Sequence, residues 1–188
     1  FFNVSSITST TGFCTVDYVQ WPDYCQWILV ILMFCGACAG STGGGIKVSR
    51  FVILIKTVGK ELQSYIHPKS IKKINIDKKP VEHDVVRATN VYFITFVILF
   101  VASVFLISFE DKDLVTNFTA VAATINNIGP GLDLVGPTQN FDCFSAPSKY
   151  VLIFDMLAGR LELFPLLILF HPVMLRQFFI RKKKTNKK

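Results

Sequence analysis

The stretch that most limits what this chain can become is residues 91–109, VYFITFVILFVASVFLISF, which carries no charged side chain. A helix of that length is about long enough to cross the hydrocarbon core of a bilayer. Other apolar runs flank it. Residues 27–40 are apolar but too short to span alone, and residues 46–59 are apolar apart from Lys47, Arg50 and Lys56. Residues 150–175 are apolar but contain Asp155, Arg160 and Glu162. Composition agrees: 51% of the 188 residues are hydrophobic, 18 are Phe, and the mean hydropathy is +0.45. A soluble domain of this size is ordinarily less apolar.

The net charge of +7 matters less than where the charges lie. Basic residues gather between Lys47 and Arg87 and again from Arg176 to Lys188. Residues 109–150 instead hold Glu110, Asp111, Asp113, Asp133 and Asp142. Such alternation across apolar spans is the positive-inside pattern, with the connector 60–90 and the tail in the cytoplasm. Nucleic-acid binding is set aside, because the basic residues flank apolar spans without an interleaved reading motif. The tail RKKKTNKK is a solvated basic end that can also meet anionic lipid headgroups. The chain opens FFNVSSITSTTGF, without an initiator Met or a basic leader, and reads as the inside of a longer protein. Cys14, Cys25, Cys35, Cys38 and Cys143 show no regular spacing, so no disulfide framework is expected.

An internal repeat is the most informative pattern. FFNVSSITSTTGF (1–13) aligns with FTAVAATINNIGP (118–130), placing Phe1 on Phe118, Val4 on Val121 and Gly12 on Gly129. Each block is followed by an apolar helix that reads as broken, with Ala39-Gly40-Ser41 falling near Ala158-Gly159-Arg160. Residues 113–125 read as a helix too short to span, which suits a re-entrant helix. The short helix before STTGF would likewise point its C-terminal, partly negative end toward the membrane centre. Thr10, Thr11 and Gly12 in one block, and Asn126 to Gly131 in the other, then offer carbonyls that can replace the water shell of a cation.

CGACAGSTGGGIKVSR, Cys35 to Arg50, allows three readings. A redox CxxC needs a helix start after a strand, whereas Cys35 to Cys38 reads as the inside of an apolar helix. A phosphate-binding loop needs G-x-x-x-x-G-K-[ST], and here Ile46 separates Gly45 from Lys47. The third reading is a membrane helix broken at Gly43-Gly44-Gly45, each glycine costing about 1 kcal/mol against Ala. Unwound backbone at membrane depth is tolerated against protein or a water-filled cavity, so this segment reads as lining a pore. A plain kink for close helix packing is the bland alternative. Arg160 sits within an apolar helix, where a charge costs about 2.5–3.5 kcal/mol. It is expected to pair with Asp155 or Glu162, to cap backbone carbonyls, or to face water.

With these motifs in hand, the chain resembles the Trk/Ktr/HKT superfamily of potassium transporters, most of all the bacterial TrkH type. The resemblance rests on SSITSTTGF, CGACAGSTGGGIKVSR, NNIGPGLDLVGP and MLAGRLELF, in that order. It implies an all-α integral membrane fold of potassium-channel-like helix–pore-loop–helix repeats, four in one chain around a pore. This chain then holds the end of repeat three (1–59), a cytoplasmic connector (60–90), repeat four (91–175) and a cytoplasmic tail (176–188). The implied ion filter is Thr10, Thr11, Gly12 and Phe13 with Asn127, Ile128, Gly129, Pro130 and Gly131. Potassium, the transported substrate, would sit at Thr10, Thr11, Asn127 and Ile128, with no cofactor in this chain. The implied gate is Gly40, Ser41, Thr42, Gly43, Gly44 and Gly45, facing Arg160. The resemblance also implies a homodimer in the inner membrane and a cytosolic, nucleotide-binding partner of the TrkA type, taking NAD or ATP. Asp133 stands where the family more often has Gly. Two rival functions remain: a non-conducting structural subunit, and a membrane-anchored nucleotide-binding protein. No covalent chemistry is called for, so the chain is not expected to be an enzyme.

Overall fold

The computed structural model describes residues 1–36, 38, 40–41, 43–67, 74–76 and 79–161. In chain order the helices are α1 (Phe2–Thr8), α2 (Asp23–Phe34), α3 (Val48–Ile66), α4 (His83–Ile107), α5 (Leu114–Ile125) and α6 (Ala146–Arg160). Two short strand pairs interrupt them. β1 (Cys35–Gly36) lies parallel to β2 (Ile46–Lys47), and β3 (Asn75–Ile76) lies antiparallel to β4 (Lys79–Pro80).

α4 is the long apolar helix. Together with the 3-10 turn that ends it, it forms one segment, His83–Glu110, long and apolar enough to cross a membrane. It begins before residue 91, because its first turns are polar, with His83, Asp84 and Arg87. Thr89 and Thr95 return their hydroxyls to the carbonyls of Val85 and Val91, at 2.8 Å each. Hydroxyls inside an apolar helix are commonly satisfied in this way. Ile94, Val97, Ile98, Val101 and Phe105 form an exposed apolar row. Such a row suits lipid rather than water.

α5 is the buried centre. It is 12 residues long, and at about 1.5 Å per residue it is too short to span a bilayer. Asp113 caps it by accepting from the backbone N–H of Val115 at 3.1 Å. Its small residues Ala120, Ala122 and Ala123 are fully buried and let its neighbours approach closely. Phe118 of α5 meets Phe100 of α4 edge-on at 5.0 Å, and Phe100 meets Phe34 of α2 at 5.4 Å. Edge-to-face geometry at these spacings is the favoured arrangement of aromatic rings. Many phenylalanines therefore serve as joints between helices.

α6 starts beside the end of α4. Glu110 accepts from the backbone N–H of Ser145, its cap residue, at 3.1 Å. Deeper in the helix, Asp155 is fully buried and accepts from Ser103 Oγ of α4 at 2.7 Å. The expected pairing of Arg160 with Asp155 does not form: the second oxygen of Asp155 has no hydrogen-bond partner among the described residues. Glu162, the other expected partner, lies outside them.

Of the two breaks expected after the repeat blocks, the first is present and the second falls at the edge of the described residues. α2 ends at Phe34, so Cys35, Gly36 and Cys38 lie outside the helix rather than within it. α6 instead runs unbroken through Gly159 to Arg160. α3 continues to Ile66, past the expected start of the connector at residue 60.

Candidate functional site

α1 and α5 end in the same turn, bond for bond. After α1, Thr10 N–H donates to Ile7 O at 3.1 Å and Thr11 N–H to Ser6 O at 2.9 Å. After α5, Asn127 N–H donates to Thr124 O at 3.0 Å and Ile128 N–H to Ala123 O at 2.9 Å. This pair of bonds defines a Schellman cap, which requires a left-handed residue just past the helix. Thr10 (φ 55) and Asn127 (φ 54) supply it, and Gly12 (φ 81) and Gly129 (φ 111) follow with positive φ of their own. Asn tolerates that region, whereas a β-branched Thr there is an outlier that its surroundings must hold in place.

The caps spend the N–H groups and leave carbonyls. Those of Thr10, Thr11, Asn127 and Ile128 accept no hydrogen bond from the described residues. Gly131 is different: its carbonyl accepts from the buried Tyr18 hydroxyl at 3.0 Å. Gly131 also has no positive φ, and needs its missing side chain because Val135 Cγ2 would lie 2.7 Å from a Cβ. The two turns touch, since a Cβ on Gly12 would run into the carbonyl of Ile128. Phe13 is exposed and Pro130 is partly exposed.

Asp133 is exposed, yet it is tied to α5. It sits at φ 55, the conformation a glycine adopts at no steric cost, and accepts from Thr116 Oγ1 at 2.6 Å.

The end of α5 also meets the glycine loop and α6. A Cβ on Gly44 would collide with the Asn126 carbonyl, and one on Gly159 with the Ile125 carbonyl. Asn127 Nδ2 donates to Met156 O of α6 at 3.1 Å. Gly40 and Ser41 are exposed, Gly43 is half-buried, and Gly44 and Gly45 are buried. Gly43 N–H donates to Ser41 Oγ at 3.2 Å. Thr42 lies outside the described residues. Arg160 is exposed in the last turn of α6, directly after the glycine that packs on α5. The residues proposed for the filter and for the gate are thus joined through Ile125, Asn126 and Asn127. From the sequence, Asn126 was expected to offer only a backbone carbonyl, and Tyr18 was assigned no role. The doubled Asn at the end of an apolar helix was the available signal for the first.

The sequence model of the TrkH family, described as a cation transport protein, matches residues 1–182, and the chain belongs to that family. The Trk system potassium uptake protein TrkH of Escherichia coli K12 is 37% identical over 177 residues, covering 94% of this chain and 36% of that protein. The potassium uptake protein TrkG of the same organism is 34% identical, covering 90% of this chain and 35% of its own length. The crystal structure of the potassium transporter TrkH from Vibrio parahaemolyticus superposes with a TM-score of 0.83 at 38% identity. It is matched over 92% of this chain and 36% of that one. The chain thus spans 36% of the length of the TrkH relatives. These relatives are named as uptake proteins and transporters, not as enzymes.

Proposed function

We propose that this chain forms part of a potassium uptake protein and contributes two of its filter segments. Thr10 to Phe13 and Asn127 to Gly131 line one side of the ion path, and carbonyls of Thr10, Thr11, Asn127 and Ile128 take the place of the ion's water. The observation that carries this is the pair of matched caps, whose left-handed residues leave those four carbonyls without donors among the described residues. The names of the relatives favour potassium as the ion. Below the filter, the loop Gly40 to Gly45 is the constriction, and Arg160 beside it acts as an electrostatic barrier. The chain supplies the end of one helix–pore-loop–helix repeat and the whole of the next, in a homodimer set in the inner membrane. The basic connector and tail face the cytoplasm, where a nucleotide-binding partner of the TrkA type acts on the gate. Entry can be driven by the membrane potential alone, at about 2.3 kcal/mol per charge per 100 mV.

The test is rubidium uptake by cells lacking their own potassium uptake, expressing the full reading frame with its partner. Gly12→Asp adds a side chain at φ +81 against the Ile128 carbonyl. Uptake is expected to vanish in that variant while the protein still reaches the membrane. Undiminished uptake in Gly12→Asp, or none from the unmodified protein, removes the filter reading and returns the structural or nucleotide-binding alternatives.

A further inference from the structure

The end of α5 holds one buried polar group with no role in the reading above. Asn126 is fully buried. Its Nδ2 donates to the Ala122 carbonyl at 2.8 Å, which turns Oδ1 the other way. That oxygen has no hydrogen-bond partner among the described residues. What it faces is the glycine loop: a Cβ on Gly45 would stand 2.7 Å from Oδ1. A buried acceptor without a donor is costly, and the cost disappears when a donor arrives. The position of Gly44 and Gly45 seen here therefore carries a penalty. A displacement of the loop that brings one of its N–H groups onto Oδ1 removes it. Gly40 (φ 87) and Gly45 (φ 78) give the loop the backbone freedom to make that displacement.

We propose that Asn126 is a positioning residue of the gate, its Oδ1 being the acceptor for a backbone N–H of residues 44–46 when the loop is displaced. The amide thus biases the loop away from the position seen here. This rests on the reading of Gly40 to Gly45 as the gate. Asn126 also begins the turn that carries Asn127 and Ile128, so the loop's position is felt one residue from the filter carbonyls.

The experiment uses the full-length transporter with its cytosolic partner, measuring rubidium uptake and potassium-over-sodium preference. Asn126→Leu keeps the size of the side chain and removes the acceptor, and Asn126→Met serves if the leucine protein does not reach the membrane. Deleting residues 41–43 removes the loop tip. The inference predicts that the Asn126 variant lowers uptake about tenfold, as loss of one such hydrogen bond from the displaced state would. It also predicts unchanged ion preference and no effect of the Asn126 variant once the loop tip is deleted. Wild-type uptake in the Asn126 variant, with raised uptake in the deletion, overturns the inference and leaves the gate standing. An equal drop in the deletion background overturns it too, because the role is then structural. Unchanged uptake on deleting the loop tip removes the gate reading and this inference with it.

Discussion

The two helices that follow the matched turns make an instructive contrast. α2 stops at Phe34 and re-forms as α3 only at Val48, after a loop that returns to pair Cys35 with Ile46 and Gly36 with Lys47. α6 continues without a break through Gly159. Glycine serves opposite ends in the two places. At Gly40 nothing lies within 4 Å of a Cβ, and φ is +87, so the glycine there is conformational. At Gly159 the backbone is helical and the missing Cβ makes room for the Ile125 carbonyl. The lesson is that two units sharing one turn geometry use the glycines that follow it differently, one for backbone conformation and one for close packing.

Gly159→Ala should strain the α5–α6 contact, costing about 1–3 kcal/mol as overpacking does. Gly40→Ala should show only the conformational cost of a left-handed residue, about 1–2 kcal/mol, confined to the loop. Thermal unfolding of the purified full-length protein separates them; equal losses would erase the contrast between packing glycine and loop glycine. Next in size, Arg160→Ala should raise rubidium flux several-fold by removing a positive charge from the path. Equal flux in variant and wild type would withdraw Arg160 from the gate. Smallest is Asp133→Gly, which relieves a left-handed residue at φ 55 but gives up the 2.6 Å bond from Thr116. The two terms are each about 1 kcal/mol, so stability should change by no more than a few tenths. Asp133→Ala loses the bond and keeps the strain, and should unfold earlier than either.

Some of this architecture was legible in the residues and some was not, for physical reasons. The uncharged run 91–109 announced α4, but its polar first turns, with His83, Asp84 and Arg87, hid where it begins. Gly12 and Gly129 were readable as permissive positions that take positive φ, since glycine alone takes that region freely, whereas Gly131, read the same way, does not take it. The same conformation at Thr10 was not readable, because intrinsic preference argues against it and the Schellman bonds override that preference. The side chain of Asn126 was missed because its importance lies in what it faces, and that is a tertiary fact. The break after the first turn comes earlier than the glycine triplet suggested, since α2 ends at Phe34, whereas α6 is helical as far as Arg160 and the residues beyond Leu161 lie outside those described. The pairing of Arg160 with Asp155 failed because residues five apart on a helix lie on different faces, and here Asp155 is buried while Arg160 is exposed.

The central claim is that the carbonyls past α1 and α5 hold a desolvated cation. The most direct measurement is anomalous diffraction from crystals of the full-length protein grown in rubidium. A rubidium peak coordinated by the carbonyls of Thr10, Thr11, Asn127 and Ile128, and absent in Gly12→Asp crystals, is the predicted result. Well-ordered crystals with no ion at those carbonyls, or with rubidium bound elsewhere along the pore alone, would contradict the account.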